Sequence, residues 1–192
     1  PDIKTIIKNP TSFVHQILSF AEYRLNEIKN NSDYKQKIYF VSGEISQGKT
    51  TCITNMLPIF IQNKITVSGV YAERILKKGN TVGYDVVDIT SGEPSVFLRK
   101  TGTPDQNKIG SYYIYNDGFD AGKKALENNK TDFVIIDEIG RLETSGAGWS
   151  EMLAQLLNNG INHLILSVRR EFIPQVCTAF QISPTRTFDI SE

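Results

Sequence analysis

The segment Gly43–Thr50, which reads GEISQGKT, constrains the fold of this chain more than any other segment. It follows an apolar segment, Lys37–Ser42, that predicts a buried strand, and the residues from Thr51 onward predict a helix. In this strand–loop–helix context the pattern G-x-x-x-x-G-K-T predicts a phosphate-binding loop. The alternative is a chance glycine loop before a helix, and the preceding strand makes that the weaker interpretation.

The loop has the chemistry that a phosphate group requires. Its glycines let the backbone turn tightly and direct N–H groups inward, where they and the helix N-terminus attract anions. Lys49 is expected to reach the β- and γ-phosphates, and the Thr50 hydroxyl is expected to bind Mg²⁺. The residues predicted to contact the phosphates are Gly43, Glu44, Ile45, Ser46, Gln47, Gly48, Lys49, Thr50 and Thr51.

A second segment, Val134–Glu138, predicts the other half of a nucleotide site. Its three branched apolar residues are typical of a strand buried on both faces, and its two carboxylates come at the end where ligands bind in open α/β sheets. Asp137 is expected to hold Mg²⁺ together with Thr50, and Glu138 to position water for hydrolysis. The alternative is an acidic pair that begins a surface loop; the glycine loop elsewhere in the chain favours the site.

Hydrolysis also requires positive charge near the transferred phosphate. Arg141 is favoured because it lies just beyond the two carboxylates, and Arg74 is a second candidate within a predicted hairpin. No spacing rule distinguishes either of them from an ordinary surface arginine. The full set of candidates is Arg74, Arg99, Arg141, Arg169 and Arg170.

The composition restricts the classes of partner that we expect. The chain has 192 residues, with 21 basic and 21 acidic side chains, and this balance gives no reason to expect nucleic acid or an anionic membrane. The two cysteines, Cys52 and Cys177, lack metal-binding or disulfide spacing and are expected to be reduced thiols. Because no apolar run is long enough to span a bilayer, the sequence predicts a cytoplasmic protein.

The sequence predicts two parts, an N-terminal helical extension at 1–36 and a P-loop domain at 37–192. Within the extension, apolar residues follow Pro10 at helical spacing, and Asn30–Asp33 ends the pattern. We expect this helix to pack on the domain that follows, or to contact a partner or a preceding domain.

Strands alternate with helices along the domain, which predicts right-handed crossovers and a mostly parallel sheet. Two β-branched segments around Lys77–Asn80 predict an antiparallel hairpin inserted in that sheet. Pro58 is expected to bend or shorten the first helix. The predicted elements are helix 49–61, hairpin 66–90, strands 94–99 and 111–115 with a loop at 100–108, a helix from 117, strand 132–137, helix 149–159 and strand 163–168.

Four stretches together resemble the small nucleoside-triphosphatases of the THEP type, a family that includes a human cancer-related relative. The resemblance runs from about Lys37 to near the C-terminus, and it implies an α/β three-layer sandwich of the P-loop NTPase class. The glycine loop is common to a large superfamily, whereas the hairpin and the run Asp137–Glu143 are more specific to this family. The stretches are Gly43–Thr51, Ser68–Glu73 with Val82–Val87, Ile109–Tyr112 with Phe119, and Val134–Glu143 with Trp149.

The resemblance implies slow hydrolysis of ATP, GTP and other nucleoside triphosphates to the diphosphate, with Mg²⁺ and with Glu138 as the base or water-positioning residue. One residue departs from the family pattern. The family's hairpin commonly reads T-E-E-V-R, which places its arginine at Leu76, whereas this chain has Arg74. Because alternation along a strand puts positions 74 and 76 on the same face, Arg74 is able to substitute for that arginine. The alternative is that Arg74 is unrelated to it.

Two other functions use the same phosphate cradle. A nucleoside or nucleotide kinase would clamp a second substrate with several arginines, and the predicted loop there offers only Arg99, Lys100 and Lys108. A nucleotide-dependent switch, as a regulatory module of a larger protein, would use the 1–36 segment as its link. Transfer of phosphate to an acceptor, or nucleotide-dependent capture of a partner, would distinguish these functions from hydrolysis.

Overall fold

The computed structural model describes residues 35–127, 130–160 and 162–190, so the predicted helix within 1–36 lies outside the described residues. The described residues form one nine-stranded sheet. The strands are β1 (Ile38–Gly43), β2 (Val67–Lys77), β3 (Asn80–Asp88), β4 (Pro94–Arg99), β5 (Lys108–Ile109), β6 (Tyr112–Ile114), β7 (Phe133–Ile139), β8 (His163–Arg169) and β9 (Arg186–Asp189).

Five helices cover the two faces of this sheet in the described ranges. They are α1 (Lys49–Gln62), α2 (Asn116–Glu127), α3 (Arg141–Thr144), α4 (Ser150–Asn159) and α5 (Ile173–Phe180), with a 3₁₀ turn at Arg170–Phe172. Within the described part of the chain, none of these helices is long and apolar enough to cross a membrane.

Five strands form a parallel core around the glycine loop. Their order is β2-β7-β8-β1-β9, so β8 lies between the strand that precedes the glycine loop and the strand that carries Asp137. The outer strands β3, β4, β6 and β5 continue the sheet in antiparallel pairing. The predicted α/β class with a mixed sheet is confirmed, and the antiparallel part extends from the predicted hairpin through β4, β6 and β5.

The parallel strands are buried on both faces because each face carries its own apolar layer. Along β1, Phe40 belongs to the layer of α2, α4 and α5, whereas Tyr39 and Val41 belong to the layer of α1. The helices close both layers with fully buried side chains, such as Leu153 of α4 and Ile53 of α1. The alternation therefore produces three layers, with the sheet between two sets of helices.

β2 is shared between the parallel core and an antiparallel extension. It pairs with β7 only from Val67 to Val70 and then continues for seven residues to Lys77. At about 3.3 Å per residue, this part extends about 23 Å beyond the last β7 pair. We call residues Tyr71–Ile114 the wing; it begins at the carboxyl end of the parallel strands, the end at which the glycine loop also lies.

The first helix ends one residue beyond its predicted end, so Pro58 does not shorten it. α1 continues to Gln62, four residues beyond the proline. Pro58 is exposed, so water is able to solvate the carbonyl group that the proline leaves without a helical donor. Burial of Met56 and Phe60 against the sheet maintains the helix across this position.

The C-terminal elements α5 and β9 are not among the elements that the sequence pattern predicts. β9 reads RTFD and contains one buried apolar residue, Phe188, which packs in the α1 layer. Four residues are too few to reveal a strand period, and β9 exists because it pairs in parallel with β1.

Gly69 sets the spacing between β2 and β7. Its φ is 114°, and a Cβ atom built there would lie 2.0 Å from the Ile135 carbonyl oxygen of β7. A side chain at position 69 would therefore push apart the two strands that carry the wing and the predicted acidic pair.

Gly69→Ala is expected to lower the free energy of unfolding by about 3 kcal/mol or more, since the positive φ and the backbone clash both oppose a side chain. Gly79→Ala is the matched control, because its φ is 77° and nothing lies within 4 Å of a Cβ atom built there. In the control, the free energy of unfolding should fall by about 1 kcal/mol. Urea denaturation of both variants measures the difference, and equal losses would contradict the steric argument.

A buried carboxylate holds the segment that follows β7. Glu143 accepts hydrogen bonds from the backbone N–H groups of Gly140 at 2.9 Å and Trp149 at 3.3 Å. Trp149 in turn stacks on Phe119 of α2, with ring centroids 5.3 Å apart. Burial raises the pKa of Glu143 to about 7, and the backbone hydrogen bonds oppose that increase.

This pKa predicts a stability that depends on pH. Because the folded pKa lies above the ordinary value of 4.5, ionisation of Glu143 opposes folding, and its effect develops as pH rises from 4.5 through 7. Relative to wild type, Glu143→Gln should gain up to about 3 kcal/mol of unfolding free energy between pH 5 and pH 8. Urea denaturation at both pH values, with exposed Glu93→Gln as control, measures this gain. A wild-type-to-variant difference that does not change with pH would contradict it.

Candidate active site

The glycine loop has the backbone conformation that a phosphate cradle requires. Gly48 precedes the first residue of α1 with φ at 96°, and Ser46 also has a positive φ of 62°. The Gln47 side chain accepts a hydrogen bond of 2.7 Å from the Glu44 N–H and closes the turn. Since glycine at the N-cap has no side chain, the space in front of the helix N–H groups is open to an anion.

Lys49 lies between the loop and the predicted acidic pair. Its side chain is only 3% exposed, and its Nζ donates to the carbonyl oxygens of Gly43 at 3.2 Å and Glu44 at 2.9 Å. The same Nζ lies 3.9 Å from Oε1 of Glu138. The lysine therefore places a buried positive charge at the junction of the two motifs.

Asp137 is the point at which the two motifs meet. Thr50 Oγ1 donates to Asp137 Oδ2 at 2.7 Å, and the Ala72 N–H of β2 donates to the same oxygen at 3.2 Å. The other oxygen accepts a hydrogen bond from Ser167 of β8. The sequence places Thr50 and Asp137 in one metal site, and the fold brings these two oxygens together.

Ser167 is a site residue that the sequence analysis does not identify. It is fully buried, and its Oγ accepts a hydrogen bond of 2.7 Å from the Glu138 N–H while it donates to the Asp137 carboxylate. One signal was available, because a serine within an otherwise apolar buried strand requires a polar partner. Ser167 thereby fixes both the side chain of Asp137 and the backbone of Glu138.

A β-bulge directs both carboxylates into one cavity. The pairing of β7 with β8 shifts register between Ile136 and Ile139, and Glu138 has a φ of 62°. In a regular strand, consecutive side chains point to opposite faces, whereas Asp137 and Glu138 line the same cavity. β7 therefore does not end at the acidic pair as predicted but continues through it to Ile139.

Glu138 lies between two cations. Its carboxylate is 3.9 Å from Lys49 Nζ and 3.6 Å from Arg169 Nε. Desolvation by the surrounding protein raises the pKa of Glu138, and the adjacent Asp137 raises it further, whereas Lys49 and Arg169 lower it. The side chain keeps 43% exposure, which leaves its carboxylate accessible from the cavity.

The candidate arginines fall into two groups. Arg74, Arg141 and Arg169 line the cavity, and the Arg141 guanidinium lies 5.5 Å from the centre of the Phe172 ring. The other two candidates, Arg99 and Arg170, form ion pairs with Asp85 at 2.5 Å and Asp189 at 2.7 Å. Among the arginines of the described ranges, Arg169 forms the ion pair with Glu138, because β8 lies directly beside β7.

Arg74 and Leu76 both line the cavity, as the alternation of side chains along the strand predicts. They do so despite an irregularity in the ladder, since the pairing of β2 with β3 shifts register between Ile75 and Leu76. Arg74 is therefore available to the ligand from the wing side of the cavity.

The cavity that joins these residues is large, with a volume of about 1040 Å³. Residues of the glycine loop and the acidic pair both line it. The wing lines it as well, through residues of β2, β3, β4 and β6. This arrangement provides room for more than a triphosphate group, since ordinary ligand pockets measure about 300–1,000 Å³.

The donor set suits Mg²⁺. Thr50 and Asp137 supply a hydroxyl and a carboxylate oxygen next to the cradle, and Mg²⁺ selects oxygen ligands. Within the described ranges, no group of three or more His, Cys, Asp or Glu side chains converges as a metal cage. Such a sparse set fits a cation that takes its remaining ligands from phosphate and water.

Comparison with known proteins identifies one family. The family model described as NTPase matches residues 38–192. A nucleoside-triphosphatase THEP1 from Saccharolobus solfataricus is 32% identical over 125 residues, which cover 62% of this chain and 69% of that protein.

Two solved structures share the fold. The solution structure of a human cancer-related nucleoside triphosphatase has a TM-score of 0.63 at 19% identity and covers 80% of this chain and 88% of its own. The crystal structure of THEP1 from Aquifex aeolicus has a TM-score of 0.61 at 18% identity, with coverages of 80% and 89%. The predicted P-loop fold is thereby confirmed. Because the family model spans most of the chain, this protein belongs to the NTPase family of hydrolases that its sequence resemblance predicted.

Proposed function

We propose that this protein hydrolyses ATP, GTP and other nucleoside triphosphates to the diphosphate and phosphate, with Mg²⁺ as its cofactor. The observation that carries the proposal is the contact between Thr50 and Asp137 beside Glu138, which faces Lys49 at 3.9 Å. A phosphate cradle, an oxygen site for a cation and an accessible carboxylate are the three components of a water-using phosphoryl-transfer site.

Each residue has a separate role in this proposal. The loop residues Gly43–Thr51 bind the phosphates through backbone N–H groups, and Lys49 supports the β- and γ-phosphates. Thr50 and Asp137 hold Mg²⁺, which when bound would neutralise negative charge on those phosphates. Glu138 orients the attacking water and accepts its proton.

Positive charge from arginine completes the proposed site. As negative charge shifts toward the β–γ bridging oxygen, cations fixed in the cavity stabilise it without reorganisation. Arg74 and Arg141 keep the roles that the sequence suggests, on the wing and after β7. Arg169 joins them because its ion pair already places it beside the carboxylate that directs water.

Glu138→Gln keeps the size of the side chain and removes its capacity to accept a proton. We expect kcat for phosphate release to fall about a hundredfold or more, while Mg·ATP binding is retained. Lys49→Ala should instead lose nucleotide binding. Phosphate release and a nucleotide-binding titration measure the two effects, with exposed Glu93→Gln as control. Wild-type turnover by Glu138→Gln would remove Glu138 from the mechanism.

The arginines are separable by substitution. Arg169→Ala is expected to lower kcat by about tenfold or more, since it removes a cation beside the developing charge. Arg170→Ala is the matched control, because the adjacent Arg170 pairs with Asp189 and does not line the cavity. Arg74→Ala and Arg141→Ala complete the steady-state series. If Arg169→Ala and Arg170→Ala have equal kcat values, Arg169 has no part in the reaction.

One observation favours a second candidate, transfer of phosphate to an acceptor. The cavity that Glu138 lines is also lined by the wing, and its volume of about 1040 Å³ leaves room for an acceptor beside a triphosphate. Under the proposed function, phosphate release equals nucleotide consumed with no acceptor present. Transfer to a nucleoside or monophosphate that outpaces this release would favour the kinase instead.

A further inference from the structure

The wing presents two aromatic rings to the active-site cavity. Tyr84 of β3 and Tyr112 of β6 both line it, and their ring centroids lie 5.6 Å apart in an edge-to-face arrangement at 69°. Both residues are half-buried and thus retain exposed ring surface.

The Tyr84 side chain lies close enough to Arg74 and Glu138 for their charges to affect its pKa. Burial raises the pKa of Tyr84, Tyr112 raises it further, and the charges of Arg74 and Glu138 act on it in opposite directions. The aromatic pair and the acidic pair line the same cavity.

Two large apolar side chains that line this cavity are exposed. Ile45 of the glycine loop is 64% exposed, and Leu76 of the wing is 57% exposed, although both are large hydrophobic residues. Neither side chain carries a polar group, so the contacts that these side chains can offer a ligand are apolar. A cavity lined by exposed apolar side chains and by aromatic rings suits a flat, partly apolar ligand group, because such a group gains from leaving water and from stacking.

We propose that Tyr84 and Tyr112 form a subsite for a nucleobase, separate from the phosphate cradle. The proposal rests on the proposed hydrolysis, since it assigns an additional ligand group to the same cavity. Stacking on tyrosine is tolerant of base identity, because every base has a π-face. The subsite would therefore accept purines and pyrimidines, in keeping with broad nucleotide specificity.

Two sources can supply this base. β1 and β3 are four strand positions apart in the sheet, or about 19 Å, with the acidic pair between them. The base belongs either to the nucleotide that is hydrolysed or to a second nucleoside beyond its γ-phosphate. The chemistry of recognition is the same in both cases, and substrates without a base distinguish them.

The test compares Tyr112→Leu and Tyr84→Leu with Tyr113→Leu. Tyr113 is adjacent on β6 but lies outside the cavity lining, where the Lys108 Nζ sits 4.2 Å from its ring centre. Each variant is assayed for phosphate release from Mg·ATP and from Mg·tripolyphosphate, which has the phosphates without the base. Calorimetry measures adenosine binding to each variant in the presence of tripolyphosphate.

Loss of a stacking contact should raise a KM or Kd at least about fivefold in the cavity variants and not in Tyr113→Leu. A higher KM for ATP with an unchanged KM for tripolyphosphate identifies the base of the hydrolysed nucleotide. Weaker adenosine binding with both KM values unchanged identifies a second nucleoside.

Two outcomes would overturn the subsite. One is a KM for ATP and a Kd for adenosine that both equal the wild-type values in Tyr84→Leu and in Tyr112→Leu. The other is a parallel rise in KM for ATP and tripolyphosphate, which would mean that the tyrosines act on the phosphate site. If the wild-type protein releases no phosphate from either substrate, the proposed hydrolysis fails, and adenosine binding alone then decides the subsite.

Discussion

The hydrogen bonds to the Asp137 carboxylate are the contacts on which the candidate site depends. Donors from α1, β2 and β8 converge on the two oxygens of this one β7 side chain. An ionised carboxylate accepts but does not donate, so a buried one requires several donors to compensate for lost water. The strand order and the glycine loop supply those donors, and the position of Glu138 follows because Ser167 also binds its backbone.

Much of this arrangement is predictable because two short motifs carry most of the chemistry. Gly43–Thr50 specifies a strand end, a turn and a helix start within one continuous segment, so only local geometry is needed. The apolar residues of Val134–Glu138 predict a buried strand, and its two carboxylates indicate the end of that strand at which ligands bind. Their proximity follows from a general property of parallel sheets, in which strand carboxyl ends share one edge.

The remainder depends on pairing between distant residues, which no local pattern records. Ser167 lies 30 residues from Asp137 and reaches it only because β8 pairs beside β7. Arg169 follows from the same pairing, while proximity along the chain favoured Arg141. The bulge at Glu138 is also not predictable from the sequence, since an apolar strand with two acidic residues has the same composition whether or not its pairing with β8 shifts register.

The position of the Ala72 hydrogen bond changes how substitutions at Asp137 should be interpreted. β2 stops pairing with β7 at Val70, and the Ala72 N–H then donates to the Asp137 side chain instead of to the backbone of a neighbouring parallel strand. The carboxylate thus connects the first residues of the wing to the parallel core through a hydrogen bond. Removing the carboxylate would change the shape of the cavity as well as the cation site. Loss of activity in an Asp137 variant would therefore not by itself identify Asp137 as a cation ligand.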